Sequence, residues 1–296
     1  MSSFIPEHIH IRFQRVFAYI DAHMNDELDL DTLSRVAAYS KFHFHRQFVA
    51  LFGMSVSRYV LLKRLNRAVY TLAFRGEVPI TTIAYDCGYE SPEAFSRAFK
   101  TNAGQTPSDF RKHPQWQAWT EKYQPVTEIK AKKMPNVEMP NVKDVKIVDF
   151  PETRIAVLKH RGAPHLVMNS VRQFIAWRKE NALPPKSSAT YNICYDDPNH
   201  TAPEAYRFDI CAATGKDIAP NEYGIEAGHI PAGKCAVLRH IGSDDGIEAA
   251  ARILYEHWLP NTKHEVRDFP LFLQRVRAFP DVPEHQAVLD IFLPLK

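Results

Sequence analysis

Over the first hundred or so residues the apolar positions recur at intervals of three and four, the period of a helix with one buried face. Ile9, Phe13, Val16, Phe17 and Ile20 predict a support helix over His8–Met24. Leu33, Val36 and Ala37 predict a short helix over Leu30–Ala38, and Phe44 and Phe48 predict another that starts after Ser40. This last helix occurs twice. At an offset of 51, Ser40, Phe44, Arg46, Phe48 and Gly53 return as Ser91, Phe95, Arg97, Phe99 and Gly104. Each copy has a serine to cap the first free amides, phenylalanines four apart on one face, and a glycine to end it.

A short helix precedes each copy, Leu30–Ala38 before the first and Ile80–Cys87 before the second, joined to it by a tight turn. That is the grammar of a helix-turn-helix, whose second helix enters a DNA major groove. Between the two pairs, Ser55–Phe74 predicts one long helix, with Val56, Tyr59, Leu62, Leu65, Ala68, Val69 and Leu72 inward and Arg58, Lys63, Arg64 and Arg67 outward. A rod of ~20 residues spans ~30 Å, close to the ~34 Å that separates major-groove segments on one face of DNA. Thr106–Arg111 opens a last short helix, Phe110 returns to the core, and the domain closes near His113.

From Gln115 to Asn141 the stretch reads as a linker, with Lys130, Lys132 and Lys133 and the prolines Pro125, Pro135 and Pro140. Beyond Lys143 a second repeat appears. Ala156–Gly162 matches Ala236–Gly242, and Pro151 matches Pro231, at an offset of 80; Trp177 with Trp258 and Asp209 with Asp290 continue it at 81. Each half reads as a strand, a helix and two more strands: Lys146–His160, Leu166–Asn181, Thr190–Tyr195 and Tyr206–Ala213, then Tyr223–His240, Gly246–Leu259, Phe269–Arg277 and Ala287–Leu293. The expected architecture is two domains, an all-α double helix-turn-helix domain over residues 1–113 and, after a linker at 114–142, an α+β pseudo-twofold domain over 143–296. Its helices lie on one face of the sheet.

Composition adds limits. With 296 residues, 45% of them hydrophobic, each domain has material for its own core. No apolar run approaches the ~20 residues of a membrane span, and the first residues lack the order of a secretory signal, so a cytoplasmic protein with no membrane partner is expected. Cys87, Cys194, Cys211 and Cys235 are far apart and read as reduced, mostly buried thiols. The net charge of +3 is unevenly placed: residues 40–112 hold eleven Lys or Arg against five Asp or Glu, whereas residues 143–296 hold nineteen against twenty. The excess lies with the repeated helices, as a phosphate-neutralising surface requires.

The N-terminal stretch closely resembles the AraC/XylS family of transcription regulators over roughly residues 7–113. The residues that carry the likeness are Leu33, Val36 and Ala37, the two copies from Ser40 and Ser91, Ile83, Ala84, Gly88 and Tyr89, and Thr106–Arg111. The resemblance implies one chain with two recognition helices bridged by a linker helix, binding adjacent major grooves of double-stranded DNA. By position the base-reading candidates are Phe42, His45 and Arg46 in the first helix and Pro92, Glu93, Ser96 and Arg97 in the second. Ser40 and Ser91 cap them. Each arginine either reads guanine with two bonds or holds a phosphate, Phe42 suits a thymine methyl, and Lys41 and Lys100 are assigned to phosphates. Pro92 and Glu93 lack the donors common here in the family, which makes the second helix the less discriminating reader. His43 and His45 point different ways on their helix, so no metal site is expected.

The C-terminal stretch resembles the GyrI-like effector-binding domain through AVLKHRG at 156–162, YDDP at 195–198, TAPEAYRFDI at 201–210, IPAGKCAVLRHIG at 230–242, WLP at 258–260 and LDIFLPL at 289–295. The resemblance implies a cleft between the halves for a small molecule, with Tyr191, Tyr195, Trp258 and Phe272 as its aromatic candidates. Family members carry a buried glutamate after the Pro-x-Phe that is here Pro270–Phe272; Leu273 stands there, followed by Gln274, which argues against a cationic ligand. There is no nucleophile elbow, paired metal ligand or phosphate loop, so no catalytic residue and no cofactor is expected. Glu204, Asp209 and Asp290 are candidate acids, the last two of which, at repeat-equivalent positions, read as structural. The reading is a DNA-binding transcription regulator whose partners are DNA, RNA polymerase and an unidentified effector; the alternatives for the C-terminal domain are a small-molecule hydrolase and a protein-binding module.

Overall fold

The computed structural model describes residues 5–129, 141–198 and 200–296. The chain forms two compact units, an N-terminal and a C-terminal one. Lys130, Lys132, Lys133, Pro135 and Pro140 of the expected linker lie outside the described residues.

The N-terminal unit is helical: α1 (Glu7–Ala22), α2 (Leu30–Val36), α3 (Lys41–Phe52), α4 (Val56–Phe74), α5 (Ile80–Asp86), α6 (Pro92–Ala103), α7 (Pro107–Lys112) and α8 (Trp116–Glu128). Two aromatic clusters build it. Phe13 and Phe17 of α1 meet Phe52 of α3, each at 5.2 Å between centroids, and Phe17 lies 5.0 Å from Tyr59 of α4. In the second cluster Phe95, Phe99, Phe110 and Trp116 form a chain of contacts at 5.6 Å each. Trp116 also stacks on Phe74 at the end of α4.

Trp116 therefore corrects the expectation of a linker from Gln115. Trp116, Trp119, Tyr123 and Val126 are buried along one face of α8, and the Trp119 indole N–H donates to Asn66 Oδ1 of α4 at 2.9 Å. Their spacing of three, four and three was present in the sequence. Pro125, inside the helix, and the polar residues between them masked it.

The C-terminal unit is an eight-stranded antiparallel sheet of β1 (Lys146–Phe150), β2 (Thr153–Arg161), β3 (Thr190–Cys194), β4 (Arg207–Ala213), β5 (Glu226–Ile230), β6 (Gly233–Ile241), β7 (Leu271–Arg277) and β8 (Val288–Pro294). The order β1-β6-β8-β7-β3-β4-β2-β5 is its own reverse when the two repeats are exchanged, so a pseudo-twofold passes between β3 and β7. Each expected first strand is broken at its proline, Pro151 or Pro231, which has no N–H to give a ladder. The parts separate: β1 crosses to pair with β6 of the other repeat, and β5 pairs with β2. The halves are thereby tied by exchanged edge strands as well as by the central β3–β7 ladder.

One face of the sheet packs under helices. Phe174 and Trp177 of α9 (Val167–Glu180) cover Ala156, Leu158 and Ile210. Ala250 of α10 (Ile247–Arg252), with Leu254 and Trp258 beyond it, covers Ala236, Leu238 and Ile291. From Ile253 to Trp258 the helix widens into a π-helical turn, the form that one inserted residue takes inside a helix. This locates the extra residue that moves the repeat from an offset of 80 to 81.

The repeats also place a buried histidine at equivalent points, His160 and His240. His160 Nδ1 lies 2.9 Å from Ser170 Oγ and Nε2 lies 3.1 Å from the Gly162 carbonyl. His240 Nε2 lies 2.8 Å from the Ser243 carbonyl, but its Nδ1 has no partner among the described residues. The residue matching Ser170 at an offset of 80 is Ala250, which lacks a hydroxyl. Chemical denaturation should show Ser170→Ala losing ~1 kcal/mol and Ala250→Ser gaining a similar amount, the worth of one buried hydrogen bond. Trp119→Phe, which strands the buried Asn66 amide, should destabilise the N-terminal unit by ~1–3 kcal/mol in the same measurement; no change would place α8 outside the cooperative fold.

Candidate nucleic-acid interface and ligand cleft

Both repeated helices are built alike. Ser40 Oγ accepts the His43 amide at 3.3 Å and Ser91 Oγ accepts the Ala94 amide at 3.2 Å. Gly53 and Gly104 end them at φ of 76° and 75°, in the left-handed region where a side chain is strained. Phe44, Phe48 and Phe52 are buried on α3, and Phe95, Phe99 and Ala103 on α6. Burying those faces turns the opposite ones outward: Lys41, Phe42, His45 and Arg46 are exposed, as are Glu93, Arg97 and Lys100, with Pro92 and Ser96 half-buried.

The two outward faces differ in chemistry. On α3 the Arg46 guanidinium lies 5.2 Å from the Phe42 ring centroid, within cation–π range, and Lys41 pairs with Asp31 of α2. On α6 the residue matching Phe42 is Glu93, one helical turn before Arg97. So α3 offers an apolar and a cationic group, and α6 an anionic and a cationic one. No group of three or more metal-ligating side chains occurs among the described residues, His43 and His45 included.

The linker helix departs from expectation. The four cations read as outward on α4 are all engaged within the N-terminal unit: Arg58 donates to Asn102 Oδ1, Lys63 bridges Asp21 at 3.0 Å, Arg64 donates to the Met24 and Asp26 carbonyls, and Arg67 donates to Asn25 Oδ1. Turning backbone needs donors for its carbonyls, which Arg64 supplies, while Arg58 and Arg67 bond asparagine side chains. Their partners lie about 40 residues away in sequence, beyond the reach of a periodicity argument.

In the C-terminal unit the face without helices carries a cluster of rings, Phe150, Tyr191, Phe272 and Phe292, all buried. Phe272 and Phe292 stack at 4.8 Å and Phe150 meets Phe272 at 4.9 Å. Tyr191 and Phe272 thus come together in one buried cluster, which Phe150 and Phe292 join from the exchanged strand β1 and from β8. Tyr195 stands at the rim and is partly exposed; its hydroxyl donates to Asp209 Oδ2 at 2.9 Å. Burial, with the Asp209 carboxylate beside it, pushes the Tyr195 phenol up to about 12. Trp258 corrects the expectation: it packs on the opposite, helix-covered face and stacks on His264 at 5.8 Å.

The same alternation corrects the reading of Leu273. Its side chain is buried under the helices, so an acid at that position would not meet the rings. The next residue, Gln274, is placed by strand alternation on the ring face, opposite Tyr191 on one side and Asp290 on the other. Two buried carboxylates share this face, and each is neutralised. Asp209 takes Arg161 Nη1 at 2.7 Å, and Asp290 takes Arg239 through two bonds of 2.7 Å. These pairs account for Asp209 and Asp290 as structural rather than acid–base groups.

Comparison with known proteins agrees with both halves. The description "GyrI-like small molecule binding domain" matches residues 143–296 and "Helix-turn-helix domain" matches residues 33–113. The "Probable transcriptional regulator YgiV" of Escherichia coli (strain K12) is 40% identical over 153 residues, 51% of this chain and 96% of that protein. The "Regulatory protein SoxS" of the same strain is 36% identical over 98 residues, 33% of this chain and 91% of that protein. Among solved structures, the EcmrR C-terminal domain is 15% identical, covering 51% of this chain and 96% of that one at a TM-score of 0.43. No helix among the described residues is long and apolar enough to cross a membrane. The chain belongs to the GyrI-like family and joins that small-molecule-binding domain to an AraC-type helix-turn-helix domain: it is a DNA-binding transcription regulator.

Proposed function

We propose that one chain binds an asymmetric duplex site, laying α3 and α6 in successive major-groove segments, and that the ring-lined face of the C-terminal sheet takes a small neutral aromatic effector that alters action on RNA polymerase. The observation that carries the reading is the duplicated helix. Cap, buried face, left-handed glycine and outward arginine all recur, 51 residues apart and on either side of one rod. Among the described residues neither Arg46 nor Arg97 is held in an ion pair, so both guanidiniums are available to guanine O6 and N7. Phe42 fits a thymine methyl, and Lys100 fits a phosphate.

The effector's class follows from charge. The carboxylates beside the rings are already compensated by Arg161 and Arg239, whose guanidiniums are themselves partly exposed. A cation gains no unpaired anion there and meets guanidiniums instead, whereas a neutral ring system inserted among the buried rings replaces their mutual contacts without a charge to desolvate.

Selection from random oligonucleotides should yield a defined asymmetric site. Arg46→Ala should cost ~1–3 kcal/mol and relax preference at one base pair, and Arg97→Ala should do so at another. A wild-type chain that selects no sequence overturns the reading, and a uniform loss with a salt slope shallower by about one turns that arginine into a phosphate contact. For the effector, thermal unfolding against size-matched aromatics should show stabilisation by neutral members only, ~2.7 kcal/mol at a hundredfold excess over Kd. Stabilisation by cationic members alone would contradict the charge argument.

A further inference from the structure

The N-terminal unit contains the same three-helix arrangement twice, α1–α3 and α4–α6, and each leading helix sends an arginine toward the turn that joins the next two. In the first copy that arginine is Arg12. It donates to the carbonyls of Ala37 and Ala38, at 3.2 and 2.6 Å, and lies over the Tyr39 ring at 4.6 Å. Its bonds stay inside its own copy.

In the second copy the arginine is Arg64, near the middle of α4, and it behaves differently. Its Nε donates to the Met24 carbonyl at 3.1 Å and its Nη2 to the Asp26 carbonyl at 2.6 Å. Both carbonyls belong to the α1–α2 loop of the first copy. The guanidinium nevertheless still rests against the turn of its own copy: a Cβ added to Gly88 would stand 2.8 Å from Arg64 Nη1 and 3.1 Å from Cζ.

At φ 76° Gly88 lies in the left-handed region where a side chain is strained, as Ala38, its counterpart in the first turn, is at φ 53°. A side chain at Gly88 would in addition push the end of the Arg64 side chain aside. Beside this junction a pocket of ≈ 280 Å³, open to solvent, lies among Leu28, Val60, Leu61, Tyr89 and Arg64.

We propose that Arg64 is a positioning residue that locks the first reader to the second. By bonding the loop of one copy while pressed on the turn of the other, it sets their relative rotation and hence the number of base pairs this protein accepts between its two boxes. The proposal rests on the DNA-binding reading above. Arg67, which donates to Asn25 Oδ1 at 2.8 Å, reinforces the same loop without reaching the turn.

The test is selection with libraries in which the spacer between the two selected boxes is varied by one and two base pairs in each direction. Full-length wild type, Arg64→Met, Arg64→Lys and Gly88→Ala would be compared, each checked for an unchanged thermal transition. Wild type should accept one spacing sharply. Arg64→Met should keep both box sequences, lose about tenfold at the preferred spacing as two hydrogen bonds disappear, and close most of the gap to the neighbouring spacings. Gly88→Ala should do the same by displacing the guanidinium, and Arg64→Lys should fall between. If Arg64→Met and Gly88→Ala, folded normally, keep the wild-type spacing profile, the proposal is wrong. A loss equal at every spacing, with a shallower salt slope, also overturns it by making Arg64 a phosphate contact. Should wild type select no boxes at all, the DNA-binding reading fails instead, which separates the two failures.

Discussion

What the N-terminal unit presents to DNA depends on a single constraint, that α4 is one uninterrupted helix. Nineteen residues of α-helix, about 28 Å long, join the two halves. Its buried side chains run from Val56 and Tyr59 to Leu72 and Phe74, and through Tyr59 and Phe74 the rod enters both aromatic clusters. Because α3 buries three phenylalanines and α6 two against their own clusters, their outward arginines are oriented by the core and not by local flexibility. Two helix-turn-helix copies joined by one rod are what the proposed single-chain reading of a site requires, a site that other helix-turn-helix proteins cover with a dimer.

The C-terminal unit uses duplication differently. Its repeats are not side by side but interleaved, with β1 and β5 exchanged across the pseudo-twofold, so that each half completes the other's sheet. The exchange brings Phe150 into the ring cluster from the opposite repeat. Divergence between the halves is small and local: a π-helical turn in one helix, an alanine where the other half has Ser170, and different cation partners for the two equivalent aspartates. Such asymmetry gives an otherwise symmetric face two unequal ends.

Much of this was legible in the sequence. Helix period, caps and terminal glycines located α1 to α7 because those signals are local, and the offset of 51 exposed the second reader. The sheet repeat was legible for the same reason, and even the inserted residue was visible as a change of offset, although its form as a π-turn was not. What stayed hidden is long-range. The exchange of β1 and β5 depends on which strand a proline-interrupted segment pairs with, which the segment itself does not encode. The engagement of Arg58, Arg64 and Arg67 depends on carbonyls and amides distant in sequence. Trp258 and Leu273 lie on the helix-covered face, which follows from helix and strand alternation and not from motif likeness. The period of α8, by contrast, is readable in the sequence.

Whether one chain reads two adjacent grooves is decided by hydroxyl-radical footprinting on the selected site, with the stoichiometry of the same complex measured by analytical ultracentrifugation. One chain per site and two protected segments on one face of the duplex, about ten base pairs apart, are expected. Two chains per site, each protecting a single segment, would contradict the single-chain reading.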